Sequence, residues 1–410
     1  MVIVADDLSG AADCGIACIN SGLDAVVVLD QAGDVPAADV LCLDADTRHL
    51  SAAYAAAETT RLLARHAGPG TLVYKKMDST LRGHIGVEIA AALGVLRGFD
   101  PAAVTIIAPA YPGTGRTTHG GRQYVNGVPV EETEIWHGMT GRADLPVLLT
   151  AQGLSAALLS VQPEAQLALA MAGAAKTHDV LVCDAESDDD LAAIARAGRS
   201  LERPVLWAGS GGLARHLPAA YALKPVAAQS IEVSPVAGPL LFIIGSRSSV
   251  SHAQAAQLVA YRTVMAHTVS ATALDRCQGA SWDEQQSRLH GAFEAGGDVL
   301  VRLGDEATSL DGSHLSAALA KLLAPFVAQC GGIFLTGGET AHAVLKTICA
   351  VGLRLVREIE AGITLSMVQG GVFDGRPVVI KAGAFGSPDT MRHCQAVLHA
   401  DNAETNTSGT

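Results

Sequence analysis

This chain predicts an α/β fold of two domains, each a mainly parallel sheet flanked by helices. Three observations carry the prediction. At 410 residues the chain is longer than one hydrophobic core usually serves and long enough for two. Its apolar content is aliphatic, with 49% hydrophobic residues, only 4% aromatic and 43 glycines. That mix suits repeated strand–helix units better than an all-β sandwich. Finally, short apolar runs alternate with helix-period segments, and the alternation stops once, at Lys224–Pro239, before starting afresh. That stretch, KPVAAQSIEVSPVAGP, has three prolines and little apolar periodicity, as a linker does. The expected plan is a first domain over 1–225, a linker over 226–239, a second domain over 240–400 and a polar, disordered tail over 401–410.

The charge balance narrows the function. A net charge of −13 argues against nucleic-acid and membrane-surface partners, so positive charge in a binding loop needs a local reason. The eight cysteines contain no C-x-x-C pair and read as reduced thiols of a cytoplasmic protein. Cys14 and Cys18, four apart on an expected helix, read as core. Val2–Ala5 reads as a buried first strand instead of a signal peptide, and no apolar run approaches the roughly 18 residues of a membrane span.

The first strand runs into Asp6 and Asp7 and then a helix opened by Ser9–Gly10 and ending near Gly22. Two acids at a strand tip serve equally as partners of a helix dipole or as contacts for a hydroxyl or a metal. Asp24–Leu29 and Val40–Leu43 are the next strands, the latter ending in Asp44-Ala45-Asp46-Thr47-Arg48, and Ser51–His66 is a helix. Thr71–Tyr74 is a strand leading into KKMDSTLRGHIG, with a helix from Val87. Lys76, Asp78, Ser79, Thr80 and Arg82 thus fall beyond a strand's carboxyl end, where open α/β sheets place ligands. Cations, a carboxylate and hydroxyls together suit a small, anionic, hydroxyl-rich ligand. The plainer alternative is a helix capped by Asp78 or Ser79 with its cations in solvent.

Val104–Ala108 is a further strand, followed by a long loop, Pro109–Gly121, that carries Arg116 and His119. Gln123–Val130 reads as a hairpin through Asn126-Gly127, and Glu131–Leu145 as irregular. A strand near Leu148, a helix over Pro163–Lys176, a strand at Val180–Cys183, a helix over Leu191–Leu201 and a strand at Val205–Ala208 complete the first domain. Gly209-Ser210-Gly211-Gly212-Leu213-Ala214 then fits the G-x-G-x-x-A form of a dinucleotide fingerprint. Pro218 and Pro225 leave no room for a full βαβ unit, and the nearby acid, Glu232, falls in the linker.

In the second domain, strands at Leu240–Ile244, Asp298–Arg302, Gly332–Leu335 and Val378–Lys381 alternate with helices over His252–Ala260, Ser313–Ala328 and up to Cys349. Three of the strand ends carry glycine- or serine-rich turns: Gly245–Ser249, Thr336-Gly337-Gly338-Glu339-Thr340 and Ala382–Gly386. Exposed N–H groups at helix starts bind phosphate without a lysine, and glycine lets the backbone approach it. No G-x-x-x-x-G-K-[ST] occurs, so this is not a P-loop NTPase.

These residues resemble the four-carbon acid sugar kinase family, once catalogued only as a domain of unknown function. The resemblance lies in ADDLSGA at Ala5–Ala11, KMDSTLRGHIG at Lys76–Gly86, APAYPGTGRTT at Ala108–Thr118 and VNGVPVEETE at Val125–Glu134, with Gly245, Thr336 and Lys381 opening the motifs of the second domain. It spans nearly the whole chain. It implies transfer of a phosphoryl group from ATP, with Mg²⁺, to the terminal hydroxyl of a four-carbon sugar acid. By resemblance Asp6, Asp7, Arg48 and the Lys76–Arg82 loop, with Arg116, hold the acid, while Ser246, Thr336, Gly337, Gly338, Glu339 and Gly383 hold the nucleotide. Arg48, Lys76 and Arg82 face the acid's carboxylate or the phosphoryl group, and Asp78 or Asp7 orients or deprotonates the attacking hydroxyl. His84 and His119 are weaker candidates. The D-S-T-L-R-G loop is similar to that of D-threonate and D-erythronate kinases, whereas 3-oxo-tetronate kinases have a different loop. Ile135–Leu145 departs from the family in lacking a D-P segment. The rival readings are a 3-oxo-tetronate 4-kinase, a non-catalytic sugar-acid sensor and a dehydrogenase using Gly209–Ala214. A homo-oligomer is compatible with all of them.

Overall fold

The computed structural model describes residues 1–29, 36–136, 142–226, 233–246, 248–260, 264–274, 277–304, 311–383 and 385–399. The expected tail, part of the expected linker (227–232) and part of the irregular segment (137–141) lie outside them, as do Arg247 and Ala384. The chain divides into two compact units, Met1–Val27 with Ala37–Ala228, and Val28–Pro36 with Gln229–Thr410.

In the first unit the chain runs β1 (Val2–Ala5), α1 (Leu8–Ile19), β2 (Ala25–Val28), β3 (Val40–Asp44), α2 (Ala52–His66), β4 (Val73–Lys76), α3 (Ile85–Phe99) and β5 (Val104–Ala108). A small antiparallel ribbon follows, β6 (Arg116–His119), β7 (Arg122–Val125) and β8 (Val128–Pro129). The alternation resumes with α4 (Leu145–Thr150), β9 (Ala156–Leu159), α5 (Glu164–Ala174), β10 (Val180–Cys183), α6 (Asp188–Arg199), β11 (Val205–Gly209), α7 (Gly211–Ala214) and α8 (Leu217–Ala220). The strand order is β2-β3-β1-β4-β11-β5-β10-β9. Pairing is parallel at β1 with β3 and β4, and at β11 with β4 and β5. The chain therefore leaves β1 to one side for β3 and to the other for β4, which makes the β1/β4 edge a topological switch point.

Three details differ from the sequence expectation. The helix after β1 is opened by Asp7, whose Oδ1 accepts from the Gly10 N–H at 2.8 Å, not by Ser9–Gly10. The expected strand near Leu148 is helix α4, because Asp144 caps it and Pro146 sits in its first turn. A short apolar run such as LPVLL cannot be assigned by period alone. Strand β4 runs two residues past Tyr74, so Lys75 and Lys76 belong to the sheet and are buried rather than placed in the turn. Lys75 can be buried because Glu88 of α3 faces it at 3.1 Å, and Glu88 also accepts from the Thr47 hydroxyl at 2.6 Å. Lys75→Met would leave Glu88 buried without its cation, and it is expected to destabilise this unit by about 3–5 kcal/mol in denaturant unfolding. A loss under 1 kcal/mol would show that water replaces the pair.

The second unit runs β12 (Leu240–Ile244), α9 (Ser249–Ala260), β13 (Val264–Val269), α10 (Ala271–Leu274), α11 (Ala280–Glu294), β14 (Asp298–Leu303) and α12 (Gly312–Val327). It continues with β15 (Gly332–Thr336), α13 (Gly338–Thr347), β16 (Gly352–Glu360), β17 (Ile363–Gln369), β18 (Pro377–Lys381) and α14 (Thr390–His399). The order is β13-β14-β12-β15-β18-β17-β16, parallel as far as β18 and antiparallel for the last two strands. Phe242 and Phe334 pack as a tilted pair in its core with Leu258, Val379 and Met391. Here too the chain turns to opposite sides of one strand, β12, with β14 on one flank and β15 on the other. The sequence reading assigned no element to β13, α10, α11, β16, β17 or α14. Among the described residues no helix is long and apolar enough to cross a membrane, and all eight cysteines are free.

Candidate active site

In the first unit the carboxyl ends of β3, β1 and β4, three neighbouring strands, bring Arg48, Asp6, Asp7 and Asp78 together. The Arg48 guanidinium holds Asp6 in a fork, Nε to Oδ2 at 2.7 Å and Nη2 to Oδ1 at 2.9 Å. Its Nη1 donates to Asp7 Oδ2 at 2.7 Å and stands 3.8 Å from Asp78 Oδ2. Backbone bonds from Thr47 and Arg48 to the Asp6 carbonyl, at 3.1 and 3.2 Å, lock the two strand tips together. The Asp78 carboxylate accepts from the Thr80 N–H and hydroxyl, both at 2.7 Å, and from Arg82 Nε at 2.7 Å. Asp78 therefore organises its own loop and does not cap α3, whose N-cap position is His84.

That loop is held in uncommon backbone. Leu81 has φ of 61° and Gly83 of 92°. A Cβ on Gly83 would lie 3.4 Å from Asp6 Oδ2, so glycine serves both the φ and the approach to the acid. From the ribbon, Gln123 Nε2 donates to the Ser79 carbonyl at 2.6 Å, and the Thr118 hydroxyl donates to Gln123 at 2.8 Å. The expected long loop thus contains a short 3-10 turn, Pro112–Thr114, and strand β6, which carries Arg116. Arg116 bonds the Thr114 carbonyl through Nη1 while its Nε is buried without a partner. Lys76 Nζ donates to the Met77 carbonyl at 2.9 Å and packs on Gly10 beside Asp7.

The charges set each other's protonation. Burial pushes the Asp6 carboxyl up, but Arg48, Lys76 and Lys75 outweigh it and leave it below the usual range. Burial likewise acts on Asp78, and Arg48, Arg82 and the Thr80 bonds reverse it, so Asp78 sits well below the usual range. Burial acts to lower Lys76, but Cys14, Asp6, Asp7 and Asp13 together outweigh it and leave the ammonium above its usual range. Arg116 is lowered by burial, and Arg82 adds to this while Asp78 opposes it, which places all three in one field.

His84 and His119 do no more than bond: His84 Nε2 to the Leu50 carbonyl at 2.5 Å and His119 Nδ1 to Glu186 at 3.1 Å. The Gly209–Ala214 turn has no space for a pyrophosphate. A Cβ at Gly209 or Gly212 would overlap the carbonyls of Ala108 and Ala110, and one at Gly211 would overlap the Asp13 carboxylate. Its helix, α7, is four residues long. These glycines serve packing.

In the second unit the turns after β12, β15 and β18 also lie on three neighbouring strands. A Cβ on Gly383 would overlap the Ser246 hydroxyl, and one on Gly337 would lie 3.6 Å from the Ser246 nitrogen, so the three turns touch. Gly337, at φ 96°, is the N-cap of α13, and Gly338 begins the helix. The first N–H groups of such a helix have no intrahelical acceptor and point out beyond the strand ends. Thr336 is buried, with its hydroxyl 3.1 Å from that of Ser251, whereas Glu339 is exposed with its carboxylate against Gly312. Ser246, Thr336, Gly337 and Gly383 are thus brought together, and Glu339 points away toward α12.

Sequence reasoning missed Thr47, Lys75, Glu88, Gln123 and Ser251. Each is a buried polar residue behind the site, and its type and position carry no signal until the partner element is in place.

Two family models match the chain: a sugar-binding N-terminal domain over residues 1–217 and a nucleotide-binding C-terminal domain over residues 241–391. The chain belongs to the four-carbon acid sugar kinase family. It is 42% identical to a D-threonate kinase of Cupriavidus necator, covering 98% of this chain and 99% of that one. It is 36% identical to a D-threonate kinase of Bordetella bronchiseptica, covering 96% of each. A solved Salmonella typhimurium LT2 structure, 20% identical, shares the fold with a TM-score of 0.79 over 96% of this chain and 98% of that one.

Proposed function

We propose that the chain phosphorylates the terminal hydroxyl of a four-carbon sugar acid with ATP, and that D-threonate is its substrate. The observation that carries this reading is the full-length likeness to a D-threonate kinase, with the D-S-T-L-R-G loop folded around Asp78 beside Arg48, Asp6 and Asp7. The first unit takes the acid and the second the nucleotide.

Phosphoryl transfer asks mainly for position and charge compensation, because its transition state is loose. Arg48 is already held by Asp6 and Asp7, so it builds the floor of the site. Arg82, nearly half exposed, and Arg116, with an unpartnered Nε, supply N–H groups for the acid's carboxylate. Asp7 orients the attacking hydroxyl. Asp78, held far below the ordinary carboxylate range, accepts hydrogen bonds but is a weak proton acceptor at neutral pH. Ser246, Thr336, Gly337, Gly338 and Gly383 cradle the phosphates.

Mg²⁺ supplies charge neutralisation across the phosphates when bound. Asp6, Asp7 and Asp78 are each bonded to an arginine, and among the described residues no group of three His, Cys, Asp or Glu could hold an ion. Those donors fit a metal that arrives on ATP and keeps water ligands better than one in a protein cage.

The test is ADP release by the purified chain with D-threonate, D-erythronate and their 3-oxo analogues. Acid-dependent release, fastest with D-threonate, is expected, and no release with any acid would sink the reading. Because Asp6 and Asp78 stay ionised, kcat/KM is also expected to show no acid limb between about pH 5 and 8. A limb near pH 6 would assign the chemistry to another group.

A further inference from the structure

Lys381 ends β18 beside the Gly383 turn, where a strand-end lysine would ordinarily be read as a phosphate ligand. Its geometry is different. The residue is fully buried, at 0% exposure, and Nζ turns into the backbone. It donates to the carbonyls of Ala382 at 3.1 Å, Gly383 at 2.8 Å and Phe385 at 3.0 Å. Three acceptors saturate the three N–H bonds of an ammonium. The same oxygens bind their surroundings: Gly383 O accepts from Ser251 Oγ at 2.7 Å and Phe385 O from Gln254 Nε2 at 3.1 Å. Ser251 in turn reaches Thr336, and the Gly337 N–H donates to the Lys381 carbonyl at 3.1 Å. The ammonium therefore gathers the turn after β18, which Ser251 and Gln254 join to α9 and the Lys381 backbone carbonyl joins to the turn after β15.

We propose that Lys381 is a tethered cation of the nucleotide site. Its ammonium fills from within the chain a carbonyl-lined position of the kind that binds free potassium or ammonium ions, and so holds the Gly383 turn in nucleotide-binding form without touching the nucleotide. The inference rests on the reading of the second unit as nucleotide-binding. Lys381 is a positioning residue. Burial pulls its ammonium down to about 8, with Cys394 and Glu360 opposing, so it stays largely charged at neutral pH.

The test uses the full chain, with ADP as probe, in calorimetry in a tetramethylammonium buffer. Wild type is expected to bind ADP equally with and without added potassium or ammonium. Lys381→Ala is expected to bind ADP at least about tenfold more weakly. Ammonium or methylammonium should restore most of that loss, and D-threonate binding should stay unchanged. A folded Lys381→Ala with wild-type ADP affinity, or with a loss that no small cation repairs, would overturn the proposal. So would potassium-dependent ADP affinity in the wild type, an arm that stands even if the variant does not fold. A wild type that binds no ADP in any buffer sinks the nucleotide reading itself. Amide exchange at Gly383 in Lys381→Ala, with and without ammonium, then decides the tether, because faster exchange slowed by ammonium supports it and unchanged exchange refutes it.

Discussion

Arg48→Ala is expected to lower kcat/KM for the sugar acid by at least about 10³-fold, a loss of about 4 kcal/mol in transition-state stabilisation. The reason is the number of groups that depend on one guanidinium. Asp6 is held in a fork, Asp7 by a single bond and Asp78 by proximity, and Asp6 and Asp78 are almost fully buried. Removing the cation leaves like charges facing one another, and one abandoned buried carboxylate alone costs about 3–5 kcal/mol. Arg48→Lys keeps the charge but not the planar fork, so it should recover folding stability more than activity. Adding Asp6→Asn to Arg48→Ala should likewise relieve repulsion and raise stability while leaving the acid unphosphorylated. ADP affinity, measured by calorimetry, should be unchanged in all three. Near-normal kcat/KM in a folded Arg48→Ala would remove the cluster from the site, and an equal loss of ADP affinity would show global damage.

The polar strand ends of the candidate site were legible because they break a simple alternation. A buried apolar strand followed by charge, as in VIVADD or VYKKMDST, stands out wherever it occurs, and the parallel α/β plan then brings such tips to one edge of a sheet. What the pattern could not convey was the direction of each side chain. Arg48 reads equally well as a contact for a ligand carboxylate and as a partner for Asp6, because both are carboxylates. The two lysines read as turn residues because burying an ammonium needs a partner, and Glu88 lies twelve or more positions away on α3. Glycine carries the opposite ambiguity. Gly209, Gly211 and Gly212 match a phosphate-binding pattern, yet each is small because the Ala108 or Ala110 carbonyl or the Asp13 carboxylate already occupies the space.

The second unit was less legible at its far edge than at its glycine-bearing turns. Strand β16 alternates Leu353 and Leu355 with Arg354, and turns into β17 at Gly362, with φ of 75°. That is a period-two signal, but it is antiparallel and interrupts a strand–helix rhythm, so a reading tuned to βα units passes over it. The three glycine-bearing turns were read correctly as strand-end features, and their mutual contact at Ser246 is a consequence of the order β12-β15-β18 that no local pattern encodes.

Gly337→Val is expected to weaken ADP binding by at least about 100-fold, close to 3 kcal/mol, with sugar-acid binding to the first unit preserved. Two effects add. Gly337 holds φ of 96°, a region closed to a β-branched residue, so valine forces the N-cap of α13 to move or carries about 1–3 kcal/mol of strain. Its Cβ would also stand 3.6 Å from the Ser246 nitrogen, and the two methyl groups beyond it would project over the place where the three turns meet. The Gly337 N–H is spent on the Lys381 carbonyl at 3.1 Å, so what valine removes is the shape of the cradle and the aim of the next N–H groups, not a donor. Gly338→Ala separates the two effects. Gly338 is already the first helical residue, where alanine adds no strain, so a loss of ADP affinity in this variant would come from the added Cβ alone. Calorimetry with ADP and then with D-threonate on each folded variant reads both sites separately. A Gly337→Val chain that binds ADP as tightly as wild type would take the phosphates away from this turn and, with them, the nucleotide role of Ser246 and Gly383.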